Sequence, residues 1–336
     1  MNIPKVSICI PTRNRKELLS GCLKSIFEQS TDAFEIVIID GNSSDGTKEM
    51  IFELQKKYLN ITYIFQETHN GIARDVVNSI VNSNGDYCWM LSDDDRLDKN
   101  ALSEASLYLS KNKELSGISV SYDFFDKSMT YRIKSMRPSR NKIQSKAIKF
   151  NSIEDTFEEI GHHLGFLSGQ ILKRDEATKV INNCDLTPFL NPWIIINLIG
   201  LVLKNNPNWA YLNLPLVLYR SGNDSFLSNG VYKRQLITHE VLRGTYLNFF
   251  HKDSKTFKIL MSSLVNIRMP RALAVIKANK LPMKELYLIF KLYIKHYSLF
   301  IGFWLKVFPI FLVPGFIINL VRWVYNSLKI IHSWKK

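Results

Sequence analysis

Apolar runs and stretches of helical spacing alternate through the first third of the chain. Residues 6–10, "VSICI", have the unbroken apolar character of a buried strand. After "PTRNR", the stretch "KELLSGCLKSIFEQ" brings Leu18, Leu19, Cys22 and Ile26 onto one helical face. "FEIVIID" is a second strand. The turn "GNSSDGT" follows, in which Ser44 or Asp45 can cap the helix "TKEMIFELQKKY". "ITYIF" is a third strand, "GIARDVVNSIVNS" a helix, "DYCWML" a fourth strand and "KNALSEASLYLSKN" a further helix. Such strands need both faces covered, so the pattern predicts an α/β fold with a mostly parallel sheet flanked by helices. Ligands of these sheets sit at the carboxyl ends of the strands.

Beyond about residue 115 the alternation weakens. "SGISVSYDFFDKS" reads as a strand and turn, "MRPSRNKIQSKAIKF" as a basic loop and "SIEDTFEEIG" as a short helix. "GFLSGQILKRDEATKVI" is a strand entering a helix, and "NWAYLNLPLVLYRSGN" closes with another strand. From about Tyr246 the chain becomes long-period, apolar and basic. The expected division is 1–115, 116–245 and 246–336, the last a helical region.

Charge sharpens the view of that last part. The net charge is +14, yet from His251 to Lys336 there are fifteen Lys or Arg and two acids, Asp253 and Glu285. No charge falls between Val307 and Val321, a stretch bracketed by Lys306 and Arg322. As a helix it would span only about 22 Å, short of a hydrocarbon core of roughly 30 Å. Pro309 and Pro314 would bend it. The pattern therefore predicts a membrane-interfacial or shallowly inserted helical hairpin. Trp304, Trp323, Tyr325 and Trp334 suit the headgroup level, and the bases suit an anionic surface. The competing reading is a helical subdomain with its own core. Nucleic acid is not an expected partner, because long aliphatics rather than stacking platforms interleave the bases. Four cysteines without metal or redox spacing, and an N-terminus without a secretory signal, point to the cytoplasm.

Candidate chemistry gathers at the strand ends. The first strand leads into Pro11, Thr12, Arg13 and Asn14, the second ends in Asp40, the third helix begins "HNGIARD" with Arg74, and the fourth strand leads into Asp93, Asp94 and Asp95. One sheet edge would bring them together. Three adjacent carboxylates repel one another, and a hard divalent cation, Mg²⁺ or Mn²⁺, would resolve that while also taking phosphate oxygens. Arg74 could neutralise a diphosphate from its other side.

"SICIPTRNR", "EIVIIDGNSSDGT" and "HNGIARDVVNSIVNSNGDYCWMLSDDD", in this order and spacing, resemble the successive motifs of glycosyltransferase family 2, which has the GT-A fold. The resemblance covers residues 5–125 closely and the middle of the chain loosely. It implies transfer of a sugar from a nucleotide diphosphate sugar, with a divalent metal. Residues 1–115 would then bind the donor, 116–245 the acceptor, and 246–336 the membrane. Carried over, Pro11, Thr12 and Asn14 line the nucleotide pocket, Asp40 contacts base or ribose, and Arg74 lies near the diphosphate. Asp93 and Asp95 fall at the ends of the Asp-x-Asp motif, one facing ribose and sugar and the other the metal, with Asp94 between.

The general base departs from the family pattern. Where acids commonly precede a Trp, "CDLTPFLNPWIIIN" has Asn191 and Pro192, and Asn cannot take a proton. Asp185 is the nearest carboxylate; His162 and His163 in "EIGHHLGFLSGQ" are the other candidates. Arg220 and Asn223 in "LYRSGNDS" fit the acceptor side, and a strand end with a Gly-Asn turn accounts for the stretch equally well. The "FLSGQILKR" region is similar to abequosyltransferase-like members of the family. By resemblance the acceptor is a polyprenyl-diphosphate-linked glycan of O-antigen or capsule synthesis, met at the cytoplasmic face of the inner membrane. Two other functions stay open: a nucleotidyltransferase or other nucleotide-sugar enzyme, and a non-catalytic membrane scaffold.

Overall fold

The computed structural model describes residues 3–31, 33–136, 145–279, 281–321 and 323. The chain divides into two compact units, Met1–Asp224 and Ser225–Lys336. The helical region thus begins some twenty residues before the change in pattern near Tyr246, and one sheet runs through both earlier parts of the expected division.

In the first unit the strands are β1 (Val6–Thr12), β2 (Phe34–Asp40), β3 (Ile61–Phe65), β4 (Tyr87–Met90), β5 (Arg96–Leu97), β6 (Gly117–Phe125), β7 (Arg132–Ser135), β8 (Ala147–Phe150), β9 (Gln170–Lys173) and β10 (Trp209–Arg220). The helices are α1 (Lys16–Phe27), α2 (Thr47–Gln55), α3 (Ile72–Val81), α4 (Ala101–Ser110), α5 (Ile153–Ile160), α6 (Arg174–Asn183) and α7 (Ile194–Asn205). Among the described residues the sheet order is β3-β2-β1-β4-β9-β6-β10-β5, with β7 on β6 and β8 on β10. β1, β2, β3 and β4 are parallel, as their apolar runs require. β9 is antiparallel to both β4 and β6, and β10 is parallel to β6. Hence β1, β2, β4, β6 and β10 all end at one edge, where β9 begins. The short run "QILK" reads alike from either end, polar outside and apolar inside, so pattern fixes β9 as a strand but not its direction. The stretch read as a basic loop supplies β8, while its residues 137–144 lie outside the described residues.

The core lies on both faces of this sheet. Ile8, Ile10, Leu23, Ile26, Ile36, Ile38, Trp89 and Leu102 are among its fully enclosed side chains. Each contributes about 1.5–3 kcal/mol of burial. At Gly117 a Cβ would fall 2.3 Å from the Trp209 ring and 2.5 Å from Ile171 O, so only glycine lets these three strands close up.

The second unit is helical. Its longest helix, Lys255–Ala278, is long and apolar enough to cross a membrane by length and composition, yet Phe257, Leu260, Met261, Val265, Met269 and Leu273 are buried inside the unit. His239 Nδ1 meets Tyr297 Oη at 3.0 Å, and Tyr293 Oη donates to Gln235 Oε1 at 2.7 Å. The apolar segment expected to bend does so: Phe303–Leu312 and Gly315–Val321 meet at 109°.

Candidate active site

The three aspartates follow β4 in a tight turn, with Asp95 N–H donating to Ser92 O at 3.2 Å. They sit at the edge where β1 and β10 also end, and each of their six carboxylate oxygens accepts from a protein donor. Arg15 Nη1 donates to Asp93 Oδ1 at 2.6 Å, and Thr12 Oγ1 to Asp93 Oδ2 at 2.7 Å. Arg15 Nη2 and Asn223 Nδ2 donate to Asp94 Oδ2 at 3.0 and 2.6 Å, and Ser92 Oγ to its Oδ1 at 2.5 Å. Arg220 N–H donates to Asp95 Oδ1 at 2.9 Å, and Ser168 Oγ to its Oδ2 at 2.6 Å. Arg220 Nε closes the cluster on Asp94 O at 2.9 Å.

Enclosure still weighs on the charges. Burial pushes Asp93 up to about 7 despite the Arg15 guanidinium, and the Asp94 charge adds to the rise. Burial, and again Asp94, push Asp95 up to about 8. Asp94 is the least enclosed of the three, with 12% of its side chain exposed against 3% for Asp93.

A divalent ion does not fit the cluster as arranged. Its hard oxygens are the right chemistry, but all are engaged by protein donors. Among the described residues no three His, Cys, Asp or Glu side chains converge as a metal-ligand group. Asp95, the residue expected to ligate the metal, is 1% exposed and locked between Ser168 and the Arg220 amide. As arranged, Asp95 anchors the turn, and the metal role expected for it would need these contacts to open. The positive partner among the acids is arginine.

The donor-side candidates assemble along the same edge. Thr12 pairs with Asp40 across β1 and β2, and Pro11 lies buried beside it. Asp40, fully buried, accepts from Ser43 N–H at 2.8 Å and Tyr63 Oη at 2.7 Å. Asn14 adopts a left-handed φ of 51° and is clasped to the β2–α2 turn: its N–H donates to Ser43 Oγ and its Oδ1 accepts from Ser44 N–H. Asp45 accepts from Lys16 N–H and from Thr47, tying the starts of α1 and α2 together. α3 starts against this turn. A Cβ at Gly41 would lie 3.1 Å from His69 and 3.4 Å from Asp75. Asp75 is raised by burial and accepts from Gln66 Nε2 at 2.5 Å.

Arg74, next in sequence and exposed, lines a cavity of about 460 Å³ with Asn70, Asn78, Asp185, Thr187 and Leu190. The structure thus brings Arg74 and Asp185 to one cavity. Asp185 also caps its own turn, accepting from Thr187 N–H at 2.9 Å, and hydrogen bonds from Thr187 hold its carboxyl below the usual range. His163, the other candidate base, lies inside the fold. It is 2% exposed, its Nε2 meets Val120 O at 2.9 Å, and its ring packs on Tyr122 and Tyr211. A ring so enclosed meets no acceptor. Asn191 is a cap, accepting from Trp193 N–H at 2.8 Å.

Two contributors, Arg15 and Ser168, escaped sequence reasoning. Arg15 stands one residue past Asn14, with nothing but its charge to mark it. Ser168 carries no signal in "FLSGQ". Arg220 and Asn223, placed at the acceptor side by sequence, hold the aspartate cluster instead.

Comparison with known proteins follows this geometry. The family described as Glycosyl transferase family 2 matches residues 7–171. The abequosyltransferase of Salmonella typhimurium is 30% identical over 245 residues, covering 69% of this chain and 71% of that one. A protein of Campylobacter jejuni, named GalNAc(5)-diNAcBac-PP-undecaprenol beta-1,3-glucosyltransferase, is 37% identical over 102 residues, 30% of this chain and 33% of that one. S. aureus TarS 1–349 in complex with UDP-GlcNAc superposes with a TM-score of 0.61 at 14% identity, covering 86% of this chain and 79% of that one. At that identity the likeness speaks for the fold.

Proposed function

This chain belongs to glycosyltransferase family 2 and is a glycosyltransferase of GT-A fold, and from that premise we propose that it moves a sugar from a nucleotide diphosphate sugar to a lipid-linked glycan during bacterial surface-polysaccharide synthesis. Its relatives are enzymes of bacterial polysaccharides, and the Campylobacter one is named for an acceptor on PP-undecaprenol. The nucleoside lies along Pro11, Thr12, Asn14 and Asp40. Asp93 and Asp94 face the ribose and sugar, and Arg74 takes the diphosphate. The acceptor, a polyprenyl-diphosphate-linked glycan, is met at the cytoplasmic face of the inner membrane, where the basic second unit favours an anionic surface.

In the reaction an acceptor hydroxyl oxygen bonds to the anomeric carbon. The bond from that carbon to the diphosphate oxygen breaks, and the nucleoside diphosphate departs with the electron pair. Asp185 takes the hydroxyl proton. Arg74 stabilises the charge that grows on the leaving group. The observation that carries this reading is the shared cavity of Arg74 and Asp185 beside the α3 start. Mg²⁺ or Mn²⁺ enters the reading through family membership. Its binding would require Arg15 to release Asp94, and no step above runs through it.

Purified protein offered a panel of nucleotide sugars with and without Mn²⁺ tests the proposal. One nucleotide sugar should raise the melting point, since a ligand of the native form alone stabilises it. With a lipid-linked acceptor that sugar should be transferred, and the nucleoside diphosphate released. Absence of any stabilising nucleotide sugar would contradict it.

A further inference from the structure

The described part of the second unit ends in a corner between Phe303–Leu312 and Gly315–Val321, at 109°. The corner is built, not frayed. Lys277 Nζ donates to the carbonyls of Ile310 (3.0 Å), Phe311 (2.7 Å) and Val313 (2.6 Å). One ammonium thus satisfies the oxygens that the end of the first arm leaves open. On the second arm, Asn319 Nδ2 donates to Ala278 O at 3.0 Å. A Cβ on Gly315 would lie 2.7 Å from Lys277 O, so glycine lets the corner seat against the end of Lys255–Ala278.

Among the described residues this pinned corner exposes large apolar side chains. Leu305 is 69% exposed, Leu312 69%, Phe316 72%, Leu320 57%, Val321 62% and Trp323 66%. Phe316, Leu320 and Trp323 recur at helical spacing. The first arm, Phe303–Leu312, reaches only about 15 Å, against roughly 30 Å of hydrocarbon. An arm of that length enters one leaflet and does not cross. Backbone may enter hydrocarbon only when its polar groups are satisfied, and Lys277 does that at the tip. Residues 225–336 carry eighteen Lys or Arg against three acids, the complement of an anionic headgroup layer. An exposed apolar corner in a strongly basic unit fits the boundary between a fluid leaflet and its anionic headgroups.

We infer that the corner formed by Phe303–Leu312 and Gly315–Val321 is a wedge that inserts into one leaflet of an anionic bilayer, held in shape by Lys277. This deepens the membrane placement proposed above and uses no residue of the active site. The test is flotation of the full chain with vesicles of phosphatidylglycerol and phosphatidylcholine, and of phosphatidylcholine alone. Wild type should float with the anionic vesicles, and brominated acyl chains should quench its tryptophan fluorescence. Leu312→Glu/Phe316→Glu should lower the bound fraction by about ten-fold or more, with Leu320→Ser/Trp323→Ser falling between. Leu59→Glu, at a 96% exposed position of the first unit, should float as wild type does. Thermal melting with and without UDP, CDP and GDP checks that each variant is folded.

Wild type that stays with the buffer, or a folded corner variant that floats undiminished, overturns the wedge. So does a wild-type dimer that Leu312→Glu/Phe316→Glu dissolves, since a second copy would then cover the face. Flotation without sugar transfer would sink the proposed reaction and leave the wedge standing; transfer without flotation would do the reverse.

Discussion

Arg15 and Asp93 form a part-buried ion pair at the edge of the sheet, Nη1 to Oδ1 at 2.6 Å, and the second guanidinium nitrogen reaches Asp94 Oδ2 at 3.0 Å. One planar fork spans two adjacent carboxylates. This is how a buried strand can be followed by three acids: arginine, hydroxyl and amide donors meet every oxygen.

Removing that fork should cost stability as well as activity. Arg15→Ala leaves Asp93 enclosed without its cation, a change expected to destabilise the first unit by about 2–3 kcal/mol, less than a fully buried pair because Arg15 is partly solvated. Chemical denaturation measures it. In Arg15→Ala/Asp93→Asn most of the loss should return.

Asp95 separates an anchor from a metal ligand. Asparagine can still accept from Arg220 N–H and face the Ser168 hydroxyl, whereas alanine leaves both buried donors open. Asp95→Asn should keep the melting point within a few degrees and transfer within about ten-fold, and Asp95→Ala should lose about 2–4 kcal/mol. Loss of transfer in a fully stable Asp95→Asn would return the residue to the chemistry.

Arg74 and Asp185 are both exposed, so their replacement should leave the fold alone. Asp185→Asn is expected to lower kcat by about 100-fold or more with KM little changed, as for a lost general base. Arg74→Ala should weaken binding of the nucleoside diphosphate and slow transfer together. An Asp185→Asn enzyme at wild-type kcat would make Asp185 a turn cap and nothing more.

The second unit should weaken in mild acid. Burial first, and then the charges of Arg234, His296 and Arg268, hold His239 down at about 3. The fold therefore accepts only the neutral ring. Below the unfolded value near 6.5 the unfolded chain gains a proton that the folded chain refuses, so stability falls as pH falls, by about 2 kcal/mol at pH 5. Thermal melting from pH 7.5 to 5 checks this, and His239→Gln should flatten the dependence.

The donor edge was largely legible because parallel strands leave period and punctuation in sequence. Apolar runs ending in Thr12, Asp40 and Asp93 fix where the carboxyl ends lie, and their convergence follows from topology. What escaped was contact between distant segments. Ser168 and Arg220 reach Asp95 from 73 and 125 residues away, and no local pattern encodes that meeting. The direction of β9, the enclosure of His163 and the pinning of the corner by Lys277 are likewise tertiary. Each depends on which neighbour closes over a side chain, which periodicity does not report.

The most direct test of the central claim, a donor site along Thr12, Asp40, Arg74 and Asp94, is product analysis with nucleotide sugar and lipid-linked acceptor in wild type and Asp94→Ala. The expected result is a glycosylated lipid and one nucleoside diphosphate per transfer from wild type, and a folded Asp94→Ala slower by about 100-fold or more. Pyrophosphate released from a nucleoside triphosphate, or an Asp94→Ala enzyme as fast as wild type, would contradict it.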